Sequence, residues 1–385
     1  MGKRADRGPG GAVPPEPSEG GTEPTEGSTE PTAKPTAPTP STGRPTVRDV
    51  ARAASVHPST VSRALDPRVA NLVHDKTRDR VRLAAEQLGY RADVVARSLR
   101  RRQTTTVGVI VTDLGNPVFA PVLRGVARRL EEAGFIALIT ESQDDRERLR
   151  VLVDRIRERR VDALIVGAAR KDDAEILSPV VEDGTPVVLA VRSLLGSGFS
   201  AVTADDFAGG EAAAAHLADL GHRNVAEIAG SPQVRPFLDR STGFRRGAEE
   251  RGLSVMRLDA EANNPDTGAR LAEILLSGTQ EPPTAIFAAN DSLAIGVLRA
   301  LRSLGIDCPG GISVLGYNDA PFSDSIHPPL STIGFPWDGI GGAAAEMALS
   351  LIADPTTAVR SLTFPPTLVQ RESTAEPRSG PLLSR

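Results

Sequence analysis

The sequence predicts two folded parts: an all-α helix-turn-helix unit near the N-terminus, and a longer α/β region that forms two similar lobes. Three observations lead to this fold class. Apolar residues recur at helical spacing on both sides of a break at residues 55–57. Basic residues are concentrated in the same part of the chain. From residue 106 onward, short apolar runs alternate with helical patterns, which is typical of parallel sheets covered by helices.

The first 43 residues have a composition unlike the rest of the chain. They are rich in Pro, Gly, Glu, Thr and Ser and contain almost no large apolar side chains. Such a segment buries too little apolar surface to offset the entropy lost on ordering. We therefore predict a disordered tail over residues 1–43, either a passive extension or a partner-binding segment.

Two short helices joined by a tight turn follow this tail. The apolar positions of the first helix begin at Val47, and those of the second are centred on Val61. Pro58 suits the first position of a new helix, where its missing N–H costs nothing. A helix-turn-helix places its second helix in the major groove of DNA, whereas a piece of an ordinary helical bundle would have the same spacing. The outward face of the second helix carries Pro58, Ser59, Ser62 and Arg63.

Two further helices are predicted before the α/β region begins. One spans residues 75–88 and ends at Gly89, which suits the residue just beyond a helix C-terminus. Asp93 can cap another, with Ala96 and Leu99 on one side. That second helix is too short to be stable alone in water.

The charge distribution separates the N-terminal unit from the remainder. Residues 44–102 carry 14 basic and 6 acidic side chains, a net charge of +8. Residues 103–385 carry 27 basic and 37 acidic side chains, a net charge of −10. A compact basic segment beside an acidic remainder is typical of a nucleic-acid-binding module attached to another domain.

The α/β region contains too many strand and helix units for a single sheet. We therefore predict two lobes with a ligand cleft between them, and expect the chain from residue 331 onward to cross back between the lobes. The predicted strands are 107–111, 136–140, 163–166, 187–190, 201–203, 225–229, a strand near 255, 285–288 and 313–316. The predicted helices are 119–133, 145–159, 206–220, 240–251, 266–277 and 291–304.

Several classes of protein lack support in the sequence. Cys308 is the single cysteine, so an intrachain disulfide and a cysteine metal cluster are excluded. The N-terminus has no signal-peptide apolar segment, and no apolar run approaches the roughly 18 residues of a membrane span, which predicts a soluble, cytoplasmic protein. Phosphate-binding and nucleophile motifs are absent, and the histidines have no metal-ligand spacing. No cofactor or metal is expected, and an enzyme is unsupported.

The motifs along the chain, taken in order, resemble those of the LacI/GalR transcription regulators. The matching stretches are TVRDVA (46–51), STVSRAL (59–65), LGY (88–90), ARSL (96–99), VGVIV (107–111), NP with Phe119 (116–119), LGHR (220–223), AAND (288–291), ISVLGY (312–317) and PPLST (328–332). The resemblance implies an N-terminal all-α helix-turn-helix headpiece with hinge helix, followed by an α/β periplasmic-binding-protein-like two-lobed domain. The implied boundaries are 44–91, 92–103 and 104–371, with a C-terminal tail at 372–385. That tail has no leucine heptad, so no helical tetramerisation segment is expected.

The resemblance implies a repressor that binds a pseudo-palindromic double-stranded DNA operator as a homodimer. Arg63 would contact guanine O6 and N7, and Leu99 would be wedged between base pairs in the minor groove. His57 departs from the pattern because it replaces the usual small capping serine. The implied DNA-binding residues are Thr46, Val47, Pro58, Ser59, Thr60, Ser62, Arg63, Tyr90, Ala96, Arg97 and Leu99.

The resemblance also implies a small effector, a sugar or sugar derivative, bound between the lobes. Guanidinium, amide and carboxylate groups can bracket sugar hydroxyls. Asp291 either takes part in this or only caps the helix that follows, and Asn318 stands where the family often has Asp. The alternative is a solute-binding protein for sugar transport, which the basic headpiece and the lack of a signal peptide disfavour. The implied effector-binding residues are Asn116, Phe119, Arg192, Arg240, Asn290, Asp291, Asn318 and Asp319.

Overall fold

The computed structural model describes residues 45–66, 69–91, 103–194, 196–277 and 281–378. They form two compact units, one up to residue 91 and one from residue 103. The predicted tail over 1–43 lies outside the described residues. So does nearly all of the predicted hinge helix, including Ala96, Arg97 and Leu99.

The described part of the first unit contains three α-helices around a small apolar core. These are α1 (Val47–Ala53), α2 (Pro58–Ala64) and α3 (Asp75–Gln87), with a 3₁₀ turn at Ala70–Leu72 before α3. Val50, Val61 and Val81 are fully buried in one cluster, one from each helix. The predicted helix-turn-helix and third helix are confirmed, and Gly89, with φ +61°, ends α3 as expected.

In the second unit, the described residues form two six-stranded sheets. The first has the strand order β11-β5-β4-β3-β1-β2 and is parallel throughout. The second has the order β12-β10-β9-β8-β6-β7, with β12 antiparallel to β10. The strands are β1 (Thr106–Val111), β2 (Ile136–Glu141), β3 (Ala163–Val166), β4 (Val187–Ala190), β5 (Ser200–Ala204), β6 (Asn224–Ala229), β7 (Ser254–Asp259), β8 (Ala285–Ala288), β9 (Ser313–Asn318), β10 (Ser331–Gly334), β11 (Ser361–Phe364) and β12 (Thr367–Val369).

Helices cover both sheets and divide the unit into two lobes. The N-lobe consists of the first sheet with α4, α5, α6 and α11, and the C-lobe of the second sheet with α7 to α10. The predicted two-lobed arrangement is confirmed. The helices are α4 (Phe119–Glu132), α5 (Arg146–Glu158), α6 (Ala174–Glu182), α7 (Asp206–Asp219), α8 (Arg235–Glu250), α9 (Pro265–Ser277), α10 (Asp291–Ser303) and α11 (Trp337–Ala353).

The described chain of this unit passes between the lobes three times, after β5, after β10 and after β11. The crossing expected beyond residue 331 is therefore confirmed. In each sheet the first strand of the lobe, β1 or β6, lies between its two successors. Ligands of open α/β sheets bind outside the carboxyl ends of the strands at such a point, where the strand order reverses.

The two helices that begin just after a crossing pack directly against the backbone of a neighbour. A Cβ atom at Gly243 of α8 would overlap the carbonyl oxygen of Phe207 in α7. A Cβ atom at Gly341 of α11 would overlap the carbonyl oxygen of Val122 in α4. Glycine is therefore needed at both positions for the close approach that fixes α7 and α11 on their lobes.

Residues 372–378 continue the C-lobe and do not form a separate tail. Ser373 is fully buried; its Oγ donates to the Val314 carbonyl (2.6 Å) and accepts from the Ser331 N–H (2.8 Å). The predicted boundary at 371 was therefore placed too early. Among the described residues, no helix is long and apolar enough to cross a membrane.

Candidate DNA-binding surface and effector cleft

A capping box fixes the start of α1. The Thr46 N–H donates to Asp49 Oδ2 (2.9 Å), and the Asp49 N–H donates back to Thr46 Oγ1 (3.4 Å). The Thr46 hydroxyl also donates to Asp49 Oδ2 (2.7 Å), and these bonds lower the pKa of Asp49. The side chain of Thr46, a predicted DNA contact, therefore also caps this helix.

His57 caps α2, the recognition helix. Its Nδ1 accepts from the Ser59 N–H (3.2 Å) and lies 2.8 Å from the Ser59 hydroxyl. The His57 ring thus makes the capping bond that a small serine would make at this position.

The recognition helix exposes the polar face that the sequence predicts. Val61 and Ala64 are buried in the headpiece core, whereas Ser59 and Arg63 are exposed. Arg63 forms no ion pair within the described part of the chain, so its guanidinium is available to a base edge. The remaining predicted contacts of this unit are half-buried: Val47, Pro58, Thr60, Ser62 and Tyr90. Val47 and Tyr90 also pack against the apolar core.

A cavity of about 370 Å³ lies where the two lobes meet. Pro117 and Val118, just before α4, line it from the N-lobe, and residues 318–321 form the C-lobe wall. Residues 335–339, at the end of the second crossing and the start of α11, close a third side. Two predicted effector residues, Asn318 and Asp319, therefore line one cavity. Its volume is within the range of small-molecule sites.

Asn318 and Asp319 are half-buried and are held in place by hydrogen bonds. The Trp337 Nε1–H donates to the Asn318 carbonyl (2.7 Å), and Arg371 donates to Asp319 Oδ1 (2.7 Å). Both residues have a positive φ, +109° and +54°. Such conformations are costly away from Gly and recur at ligand sites.

Arg240 lies in a buried cluster at the carboxyl edge of the second sheet. Its Nη2 is 2.7 Å from Asp206 Oδ1, and its Nη1 donates to the Ala289 carbonyl. The guanidinium carbon lies 3.4 Å from the centroid of the Tyr317 ring. The ring of Phe335, which lines the cavity, is tilted against Tyr317 at 5.5 Å. Arg240 is therefore next to the cavity wall but does not line it.

Asn290 and Asp291 begin α10, beside this cluster. The Asn290 side-chain oxygen caps the helix by accepting from the Leu293 N–H (2.8 Å). Asp291 is 1% exposed and accepts from the Ala320 N–H (2.6 Å) and the Thr332 hydroxyl (2.7 Å). Burial raises its pKa to about 6. Its carboxylate therefore anchors residues 318–323, and an effector contact by Asp291 stays a prediction.

The remaining predicted effector residues lie in the N-lobe and have structural partners. Arg192 is buried, and its Nη1 lies 2.7 Å from Asp144, which also pairs with Arg170. The Asn116 side-chain oxygen accepts from the Val118 N–H (3.2 Å) at the cavity rim. Phe119 is buried against Gly167. A side chain at position 167 would overlap the Phe119 ring. It contributes core packing and offers no stacking surface in this conformation.

Sequence reasoning missed two residues that contact Arg240, Asp206 and Tyr317. Asp206 is the second residue after β5, and an acidic residue so close to a strand end was a usable signal. Tyr317 was quoted inside a motif, but nothing in its neighbours indicated that its ring lies against Arg240. Both are far from residue 240 along the chain.

Comparison with known proteins agrees with this architecture. Residues 46–93 match the lacI family of bacterial regulatory proteins, and residues 214–374 match a periplasmic binding protein-like domain. The HTH-type transcriptional regulator GalS of Salmonella typhimurium is 32% identical over 331 residues, covering 86% of this chain and 96% of GalS. The ribose operon repressor of Escherichia coli K12 is 30% identical over 337 residues, covering 85% and 99%.

A solved structure extends the comparison to the fold. The LacI family transcriptional regulator from Enterococcus faecium with bound ribose is 27% identical, with a TM-score of 0.64, covering 70% of this chain and 99% of that one. A helix-turn-helix headpiece joined to a two-lobed periplasmic-binding-protein-like domain defines a DNA-binding transcription regulator. The chain belongs to the lacI family of these regulators.

Proposed function

We propose that this regulator is a repressor that binds a pseudo-palindromic operator as a homodimer, and that a sugar or sugar derivative bound between the lobes controls its affinity for DNA. The observation that carries the DNA-binding assignment is the recognition helix. It is capped at His57 and presents an exposed Arg63, without an ion pair among the described residues, beside Ser59. Two such helices related by a two-fold axis would read the two halves of the operator.

The effector assignment rests on the cavity between the lobes. Asn318, Asp319 and the nearby Asn116 offer amide and carboxylate groups of the kind that hold sugar hydroxyls. The ribose operon repressor and the ribose-bound regulator are named for a sugar, which supports the same ligand class here. Arg240, Asn290 and Arg192 remain proposed contacts that an effector would reach through local rearrangement.

The connection between the DNA-binding unit and the cleft suggests how the effector acts. The Thr104 and Thr106 N–H groups donate to the Asp162 carboxylate (2.9 and 3.2 Å), which fixes the chain that leaves the hinge to the N-lobe. A change in the angle between the lobes would therefore move the two hinge segments of a dimer relative to each other. An effector that prefers one angle shifts a two-state equilibrium of DNA affinity.

Arg63→Ala should abolish discrimination at one operator position. We expect a loss of about 1–3 kcal/mol for the preferred base and almost none for the other bases, because a bidentate contact with guanine would be removed. Selection of operator sequences from random DNA, followed by titration of single-base variants, measures this. Arg82→Ala is a matched control, since Arg82 is exposed on α3 without an ion pair in the described chain. Unchanged base preference in the Arg63 variant would contradict the assignment.

Leu99→Ala tests the proposed hinge helix, which the resemblance implies over residues 92–103. We expect less DNA bending and weaker specific binding, because an inserted apolar side chain kinks the duplex. Bending is measured by the mobility of permuted operator fragments, and effector binding by calorimetry on the same preparation. Normal bending by the variant would remove Leu99 from the interface.

We further propose that the protein acts in the cytoplasm, on DNA, without a cofactor and without catalysis. The relatives described above are transcription regulators and not enzymes. A mass-spectrometric search for converted effector after incubation with the protein tests this directly. Any product whose amount rises with the concentration of this protein would overturn the proposal.

A further inference from the structure

Arg240 and Asp206 form a buried ion pair at the carboxyl edge of the second sheet. Their side chains are 4% and 6% exposed, and Arg240 Nη2 lies 2.7 Å from Asp206 Oδ1. Asp206 begins α7 directly after a crossing between the lobes, whereas Arg240 lies in α8. The pair therefore joins the crossing segment to the helix that follows β6, at the point where ligands of such sheets bind.

The guanidinium of Arg240 is fixed on every side that the structure describes. The rings of Tyr317 and Phe237 lie over it, with the guanidinium carbon 3.4 and 5.1 Å from their centroids. Nη1 donates to the Ala289 carbonyl, and the Tyr317 hydroxyl donates to the backbone carbonyl of Asp206 (3.4 Å). The Nε–H of Arg240 is buried and has no acceptor among the described residues. The Nε–H therefore has no protein partner in the described chain, while the charge of the cation is already paired with Asp206.

The ion pair between Arg240 and Asp206 affects which ligand charge can bind at this edge of the cleft. Opposite charges in contact leave the pair with no net charge, so it offers little attraction to an anion. A carboxylate or phosphate brought to Arg240 would also lie close to the Asp206 carboxylate, and like charges repel strongly where water is excluded. A hydroxyl oxygen can accept from Nε–H without that repulsion.

We propose that Asp206 is a specificity-determining residue: by neutralising Arg240, it restricts the effector to uncharged sugars and polyols and excludes sugar acids and sugar phosphates. This inference rests on the proposed function, because it concerns the effector of the same cleft. The proposal specifies the charge of the ligand. The presence of an arginine in the site would not by itself specify that charge. An unpaired arginine would instead favour an acidic ligand.

Asp206→Asn in the full-length protein is the direct test, because it removes the charge and keeps the shape. Asp205→Asn is the matched control. Asp205 is one residue earlier and caps α7 by accepting from the Ala208 N–H (3.0 Å), which asparagine can also do. The probes are aldoses, each compared with its aldonate, uronate and 6-phosphate, and binding is followed by thermal shift and calorimetry. Inorganic phosphate, compared with sodium chloride at equal ionic strength, is a probe that needs no sugar.

We expect the wild-type protein and Asp205→Asn to bind a neutral sugar and to discriminate against its acidic forms. The affinity of Asp206→Asn for an acidic form should be at least about tenfold higher than that of the wild type. Phosphate should raise the melting temperature of Asp206→Asn alone. A wild-type protein that binds an acid as tightly as its neutral counterpart would overturn the proposal, and this comparison needs no variant to fold. Identical behaviour of the two asparagine variants would also overturn it.

The outcome for the sugar effector can be separated from the outcome for Asp206. If no sugar in the panel, neutral or acidic, binds any of the three proteins, the proposed sugar effector fails. The phosphate comparison still tests whether Asp206 neutralises Arg240. Selective stabilisation of Asp206→Asn by phosphate supports that role, and equal stabilisation of all three proteins contradicts it.

Discussion

Gly341→Ala is expected to destabilise the two-lobed unit by about 2–3 kcal/mol, whereas Gly342→Ala should stabilise it by about 0.5–1 kcal/mol. The two glycines are neighbours in α11. A Cβ at Gly341 would overlap the carbonyl oxygen of Val122, part of the rigid backbone of α4. A Cβ at Gly342 would have as its nearest neighbour the Gly125 carbonyl oxygen at 3.9 Å, an ordinary contact.

The opposite signs follow from the space beside each position. Alanine is a better helix former than glycine, because a chain with alanine loses less backbone entropy when it folds. At Gly342 that gain is not offset by a clash. At Gly341 the α4–α11 pair must move apart, and the apolar contacts between the two helices are weakened. Urea denaturation of both variants beside the wild type measures the difference.

Equal stability of the two variants would mean that α4 and α11 separate without cost. This pair matters for function as well as for stability, because α11 follows the second crossing between the lobes. If α11 is fixed on the N-lobe by backbone contact, the lobe moves as one body when the cleft changes its angle. A Gly341→Ala protein that folds should therefore show weaker coupling between effector and operator binding.

The headpiece could be predicted closely from the sequence because its signals are local. Pro58 set the start of α2 and Gly89 the end of α3, and both lie where expected. Strands β3, β4 and β8 were also predicted at their exact bounds, since each is a short run of buried apolar residues. In each case the residues that decide the structure are neighbours in the chain.

Helix α6 was not predicted, and the start of α8 was placed five residues late. Pro179 lies inside α6, and proline normally argues against a helix interior. The segment before residue 240 carries Pro236 at the start of α8, where proline is tolerated in the first turn. Both prolines thus lie within helices, Pro179 in the interior and Pro236 in the first turn. Packing against the rest of the lobes outweighed local preference.

The site was predictable in its residue types but not in their partners. Asn318 and Asp319 line the cavity, as strand-end polar residues in such a sheet should. The sequence could not show that the Asp291 carboxylate accepts hydrogen bonds from the Ala320 N–H and the Thr332 hydroxyl. These contacts join residues far apart in the chain, so that only the folded structure assigns them.

Glu227→Gln is expected to stabilise the protein at pH 8 by about 2–3 kcal/mol and to have little effect near pH 4.5. Glu227 lies in β6 and is 1% exposed, and its Oε2 has no hydrogen-bond partner among the described residues. Burial raises its pKa from 4.5 to about 7, while Ser241, Arg257 and Arg245 oppose the rise. The folded protein therefore holds a proton that the unfolded chain releases.

The sign follows from that difference in bound protons. Between pH 4.5 and 7 the folded state binds more protons at Glu227 than the unfolded state, so this residue lowers the free energy of unfolding as pH rises. Glutamine stays neutral at every pH and removes the loss. Urea denaturation of variant and wild type from pH 4.5 to 8.5 should give a difference that grows through this window and then levels off. The control is Glu249→Gln at an exposed position of α8, for which the difference in stability should not increase with pH. A pH-independent difference for Glu227→Gln would mean that the Glu227 carboxyl ionises in the folded protein without a free-energy cost.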